Sequence, residues 1–237
     1  MRLRRLPLVA APILLALAAA PAAAPAATVS VGINNEINRF VNSSQTVALG
    51  DGVQFTNDPA DFPQAALAGG PGQHNVAWDA GGFAIRPSVD GLATPWKFTR
   101  TFAKPGLYRY FCTLHGSPGG IDMAGKVTVR RADGTIPVAP SITGASAVAG
   151  AGRVTLKFRS SIAGVVTGKL TRQQGRSFRT FGSVKLPLRK GSNAVTVKKT
   201  SSGKKLTKGS YRLALTFSDG VSANLTTAKT LKFTISR

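Results

Sequence analysis

Four side chains that could hold a soft metal ion stand out, because the chain has almost no others of their kind. Cys112 is the one cysteine, His74 and His115 are the only histidines, and Met123 is the only methionine besides Met1. They run in the order His, Cys, His, Met, the last three inside Tyr108-Arg109-Tyr110-Phe111-Cys112-Thr113-Leu114-His115-Gly116-Ser117-Pro118-Gly119-Gly120-Ile121-Asp122-Met123. Two imidazoles and a thiolate in a trigonal plane, with a weak and long thioether as axial partner, suit an ion that passes between Cu(I) and Cu(II) with little rearrangement. Soft sulfur favours Cu(I), and the imidazoles keep Cu(II) bound. Taken singly, each residue has a plainer reading: a lone cysteine on an apolar strand is ordinarily a small buried hydrophobe, and a lone histidine is ordinarily a surface or hydrogen-bonded residue. Taken together, every such side chain of the mature chain falls in ligand order, and one mononuclear copper site is the expectation.

The same counts exclude other chemistries. An unpaired cysteine in a secreted chain is buried, reactive or ligated. A dinuclear copper centre needs two bridging thiolates, a trinuclear cluster needs many more histidines than two, and a structural zinc site wants four Cys or His ligands.

The elements that must position these residues read as β throughout. Thr28-Val29-Ser30-Val31-Gly32-Ile33 alternates, Thr46-Val47-Ala48-Leu49 is a short strand, and Gly50-Asp51-Gly52 is a turn before Val53-Gln54-Phe55. His74-Asn75-Val76-Ala77-Trp78 alternates as well. Trp96 to Phe102 leads through Ala103-Lys104-Pro105-Gly106 into the strand of Cys112, where the two-residue period puts Tyr108, Tyr110 and Cys112 on one face. Cys112 is expected to end that strand, His115 to lie in a tight loop and Met123 to close the loop. Lys126 to Arg130 completes the set. About eight short strands in about a hundred residues, without helical periodicity, imply a Greek-key sandwich.

Residues 28 to 131 resemble the blue (type 1) copper cupredoxins, of the plastocyanin, amicyanin and halocyanin-like group. The resemblance rests on Gly50-Asp51-Gly52-Val53-Gln54-Phe55-Thr56-Asn57, His74-Asn75-Val76, Gly106 to Cys112, and Met123-Ala124-Gly125-Lys126-Val127-Thr128-Val129. Two departures accompany it: seven residues separate His115 from Met123, longer than in plastocyanin, and a long Pro/Gly/Ala segment, Asp58 to Gln73, precedes His74. The resemblance implies His74, Cys112 and His115 as equatorial ligands and Met123 as the axial one. It also implies that Asn75 locks His74 to the Cys112 loop. The edge of His115 would reach the surface through an apolar rim, with Leu114, Gly116, Pro118 and Gly119 nearby, and pass an electron to a redox partner protein.

Met1-Arg2-Leu3-Arg4-Arg5, the apolar run Leu6 to Leu17 and the small residues Ala18 to Ala27 read as a secretory signal peptide over 1–27, cleaved between Ala24 and Thr28. Arg4-Arg5 hints at twin-arginine export, but its flanks favour general secretion. The mature chain is expected to be soluble and extracytoplasmic, without a transmembrane span or lipid anchor. Charge then divides it. Residues 28–139 carry nine Lys+Arg and eight Asp+Glu, whereas 140–237 carry nineteen and one, Asp219.

A cupredoxin domain over 28–132, a Pro-containing linker over 133–142 and a second β-sandwich over 143–237 follow. In the last, Arg153 to Arg159, Ala194 to Lys198, Tyr211 to Phe217 and Thr230 to Ile235 alternate. The stretch Leu206-Thr207-Lys208-Gly209-Ser210-Tyr211-Arg212-Leu213 resembles a penultimate strand of bacterial immunoglobulin-like modules. The basic domain is either a spacer with a solvated face or a dock for anionic envelope polymers or lipid headgroups. Nucleic acid is not an expected partner, since aromatic stacking platforms are few. The whole reads as an electron carrier and not an enzyme, because the site offers no open position beside a base or second metal. Two alternatives stay open: a copper scavenger or chaperone without redox work, and a metal-free adhesive protein.

Overall fold

The computed structural model describes residues 26–63, 72–80 and 82–236. The expected signal segment, except for Ala26 and Ala27, and much of the Pro/Gly/Ala segment before His74 lie outside them. Fifteen strands are present among the described residues. The first eight are β1 (Thr28–Asn34), β2 (Arg39–Val41), β3 (Ser44–Val47), β4 (Gly52–Thr56), β5 (Ala77–Trp78), β6 (Lys97–Thr101), β7 (Gly106–Ser117) and β8 (Ile121–Val129). They form two four-stranded sheets, ordered β2-β1-β4-β6 and β3-β8-β7-β5. Pairing is antiparallel except for β1 with β4 and β3 with β8.

The core between these sheets follows from the alternation. Tyr108, Tyr110 and Cys112 point inward from β7 and Arg109 outward. Tyr110 is the hub: Phe40, Phe55 and Trp78 pack around it with ring centroids 4.9 to 5.6 Å away. Its hydroxyl donates to Ser43 O at 3.0 Å, so the one polar atom of a fully buried ring is satisfied.

The remaining strands are β9 (Ile142–Gly150), β10 (Arg153–Ser160), β11 (Gly164–Gln174), β12 (Ser177–Leu188), β13 (Gly191–Val197), β14 (Gly209–Ser218) and β15 (Thr227–Ile235). They form the sheets β13-β10-β9 and β12-β11-β14-β15, wholly antiparallel. Val154, Leu156 and Phe158 of β10 face Tyr211, Leu213, Leu215 and Phe217 of β14 across a second, separate core. The segment read as a linker to residue 142 gives way to β9 at Ile142, which is buried.

Each sandwich carries the same local device. Gly106-Leu107-Tyr108-Arg109 opens β7 and Gly209-Ser210-Tyr211-Arg212 opens β14. In both, the tyrosine hydroxyl reaches back four residues to donate to a backbone carbonyl, Lys104 O at 2.9 Å and Thr207 O at 2.8 Å. This tyrosine corner fixes how the chain enters an inner strand of a sandwich.

The sandwiches touch through a loop of the second. Ala223 N donates to Pro105 O at 2.7 Å, Leu107 N donates to Ala223 O at 3.3 Å, and Ala223 packs on the first core. Beside this bridge, Arg131 and Asp219 pair at 2.7 Å. Burial, the largest influence on Asp219, would raise its pKa, but hydrogen bonds from Ser222 and Arg131 and from the Ser222 and Val221 N–H groups together lower it to about 2. The joint lies six residues before Cys112 on β7, about 20 Å away at strand rise. The end of the first sandwich that carries the candidate ligands is therefore clear of it.

Candidate metal centre

β7 delivers Cys112. Its side chain is the last inward one of the Tyr108, Tyr110, Cys112 series and has no exposed surface. Beyond it the alternation stops: Thr113 and Leu114 are exposed and the pairing with β8 shifts between Phe111 and Gly116. That irregularity turns His115 back over Cys112. Instead of ending at the cysteine, the strand continues to Ser117, and Met123 lies within β8 and not at the end of an open loop. Gly119 and Gly120, at φ of +92° and +93°, make the tight connection possible.

His74 comes from a segment held by bridges, not by a full strand. His74 pairs with Leu92 and Val76 with Arg86, and only Ala77 and Trp78 form β5. The expected alternation from His74 to Trp78 is absent from the burial, since His74, Asn75, Val76 and Ala77 are all inside.

The three donors converge. Cys112 Sγ lies 3.8 Å from His74 Nδ1 and 3.7 Å from His115 Nδ1, and the two Nδ1 atoms are 3.1 Å apart. A triangle with those sides has its centre about 2.1 Å from each corner, the length of a transition-metal bond to imidazole nitrogen. With its ring proton on Nε2, each imidazole would turn an Nδ1 lone pair toward this point, where a cation could accept both. Burial and the neighbouring His115 lower the His74 pKa to about 4, so His74 stays neutral and able to ligate at ordinary pH. The residues present thus fit a single soft or borderline ion. Met123 is 1% exposed and belongs to the same apolar cluster as Cys112.

Two sets of buried amides hold the His74 segment. Asn75 Oδ1 accepts from Thr113 N at 2.9 Å, while its Nδ2 donates to Thr113 Oγ1 at 2.7 Å and to Val89 O at 2.8 Å. It ties the residue after one histidine to the residue after the cysteine. The second set was not anticipated from sequence. Asn35 Nδ2 donates to Asn57 Oδ1 at 3.0 Å, Asn35 Oδ1 accepts from Gly72 N at 2.9 Å, and Asn57 Nδ2 donates to Gly72 O at 2.9 Å. Gly72 is thereby gripped on both sides, two residues before His74. A Cβ there would stand 2.8 Å from both Asn35 Oδ1 and His74 Nε2. Asn34-Asn35 after an alternating strand reads as a turn, which hides this role.

Several apolar side chains on the donor-bearing segments are exposed. Leu92, bridged to His74, is 40% exposed, and Leu114, which a Cβ on Gly91 would touch, is 45% exposed. Ile121, opposite Ser117, is 57% exposed.

No family model and no curated protein matches the chain. Among solved structures, oxidised plastocyanin from Dryopteris crassirhizoma is similar at 26% identity, covering 43% of this chain and 100% of that one with a TM-score of 0.28. A Cu-containing nitrite reductase from Thermus scotoductus follows at 23% identity, 48% of this chain, 24% of that one and a TM-score of 0.29. A DUF3823 family protein from Parabacteroides merdae matches at 9% identity over 68% of this chain and 86% of that one, with a TM-score of 0.31. Copper proteins are among these neighbours; in this chain His74 and Cys112 are buried and His115 is half-buried.

Proposed function

We propose that the first sandwich is a cupredoxin that holds one copper ion between His74, Cys112 and His115, with Met123 as weak axial partner, and carries single electrons. The observation that carries this reading is the donor triangle, whose sides leave room for one ion at bonding distance from all three atoms. Bound copper supplies a one-electron Cu(I)/Cu(II) couple. The chain's own part is to keep His74 and Cys112 away from water and to fix both imidazoles. Rigid donors keep reorganisation small. Leu92, Leu114 and Ile121, exposed on the segments that carry the donors, offer apolar surface on which a redox partner protein would sit. An electron carrier, and not an enzyme, suits three donors that already enclose the ion's position. With 1–27 as a secretion signal, the protein works outside the cytoplasm, and its basic sandwich holds it at an anionic envelope surface.

Voltammetry of the copper-loaded chain tests the electron-carrying role. One copper per chain and a reversible one-electron wave are expected. Copper that leaves to a competing chelator within minutes and shows no reversible wave would mark a metal-delivery protein instead.

A further inference from the structure

The second sandwich carries nineteen Lys+Arg and one acid over residues 140–237, and that acid, Asp219, is engaged by Arg131 of the first sandwich. Nothing anionic in its own sequence neutralises the rest. The distribution is ordered on one face. On the sheet β12-β11-β14-β15, Lys185 lies opposite Thr167, Lys169 is two residues further along β11, Arg212 lies opposite Thr171 a further two residues on, and Lys232 lies opposite Arg212. All four side chains are exposed. With strands about 4.8 Å apart and about 3.4 Å of rise per residue, Lys185, Lys169 and Arg212 form a diagonal row with Cα atoms about 8 Å apart, which Lys232 extends by one strand. One cation per strand crosses the whole sheet.

Between the cations stand hydroxyls and small groups. Lys169 and Lys185 border a shallow depression with Thr167, Ser183, Ala214 and Thr216. The one aromatic ring at the end of the row, Phe178, is half-buried and covered by the Arg212 guanidinium, 3.9 Å from its centroid. The face therefore has no apolar anchor of the kind that inserts into a bilayer and no free ring for stacking a base. The opposite sheet lacks the arrangement: Arg153, Lys157 and Arg159 follow one another along β10, and β9 has no charged residue.

We propose that this face docks a linear polyol-phosphate polymer laid along the diagonal. Such a chain carries one phosphate per short polyol unit, a repeat of the same order as the row. Its phosphates meet the Lys and Arg heads, while Thr and Ser hydroxyls donate to phosphate oxygens or pair with polyol hydroxyls. The proposal rests on the envelope-docking part of the function above and names its face and ligand, and it is independent of copper.

The test uses the full-length mature chain and purified poly(glycerol phosphate), with affinity measured across a salt series. One variant combines Lys169→Thr, Lys185→Thr, Arg212→Thr and Lys232→Thr. A second, of equal net charge, combines Arg153→Thr, Lys157→Thr, Arg159→Thr and Lys198→Thr. The row variant is expected to bind about tenfold or more weakly and to show a shallower fall of affinity with salt, and the second variant to lose less than about threefold. Equal losses in both would overturn the face while leaving envelope docking by overall charge. Absence of polymer binding by the parent chain, with retained binding to anionic vesicles or single-stranded DNA, would overturn the ligand. Absence of binding to all three would overturn envelope docking itself. A retained far-ultraviolet signal and a retained calorimetric unfolding transition of the second sandwich in both variants confirm folding.

Discussion

Replacing Asn75 with alanine probes how the ligand segments are joined. The side chain is fully buried and makes its close hydrogen bonds to Thr113 N, Thr113 Oγ1 and Val89 O. Truncation leaves the part-buried Thr113 N–H without its partner, at about 1–3 kcal/mol, and removes both Nδ2 N–H donors, which serve Thr113 Oγ1, Val89 O and, at 3.2 Å, Ser88 O and contribute about 1 kcal/mol each. Val89 O keeps a bond from Thr113 Oγ1 at 3.3 Å, so it adds little. The expected loss is about 3 kcal/mol, or a fall of roughly 12 °C or more in the melting temperature of a module of this size. Both tryptophans, Trp78 and Trp96, lie in the first sandwich, so their fluorescence during urea unfolding of the metal-free protein reports that module alone. Asn75→Asp keeps the acceptor for Thr113 N but sets a carboxylate oxygen against Val89 O, and should cost at least as much as alanine. A loss below about 1 kcal/mol for Asn75→Ala would mean that water replaces the amide and that Asn75 does not join the segments.

Two other outcomes follow from named contacts. Because the folded-state pKa of His74 is lowered from 6.5 to about 4, the unfolded chain takes up that proton first. Stability of the metal-free protein should therefore fall as pH drops from 6.5 to about 4, by up to about 3 kcal/mol, and this share of the slope should vanish in His74→Gln; an unchanged slope would refute the assignment. In Gly106→Ala, the new Cβ would stand 2.3 Å from Ala223 O, so the joint must open. Small-angle scattering should then show a longer particle, and an unchanged profile would show that the Ala223 contact does not hold the modules together.

Much of the site is legible in the sequence because its chemistry is scarce: one cysteine and two histidines leave little choice. The inward face of Tyr108, Tyr110 and Cys112 follows directly from the strand period. Other parts depend on backbone geometry that side-chain types do not encode. The continuation of β7 past Cys112 rests on the pairing shift after Phe111 and the Gly119-Gly120 turn. The Asn35–Asn57–Gly72 clamp joins residues that are far apart in the sequence, so no local pattern marks it.

The two longest strands of the sheet β12-β11-β14-β15, β11 and β12, are hidden for a packing reason. Val166, Gly168 and Leu170 share the inward face, but Gly168 breaks the apolar period. A Cβ there would come within 3.0 Å of Val184, Leu213 and Leu215, so those neighbours fill the space. On β12, the irregular pairing opposite Leu170 and Thr171 brings Phe181 and Val184, three residues apart, to the same core. No strict alternation survives such a bulge.

The most direct test of the account is the visible absorption and electron paramagnetic resonance of the mature protein with one equivalent of Cu(II), beside Cys112→Ser. The donor triangle predicts an intense thiolate-to-copper band and narrow copper hyperfine splitting, both lost in the variant. A weak spectrum with ordinary splitting, the same in both proteins, would contradict copper binding at His74, Cys112 and His115.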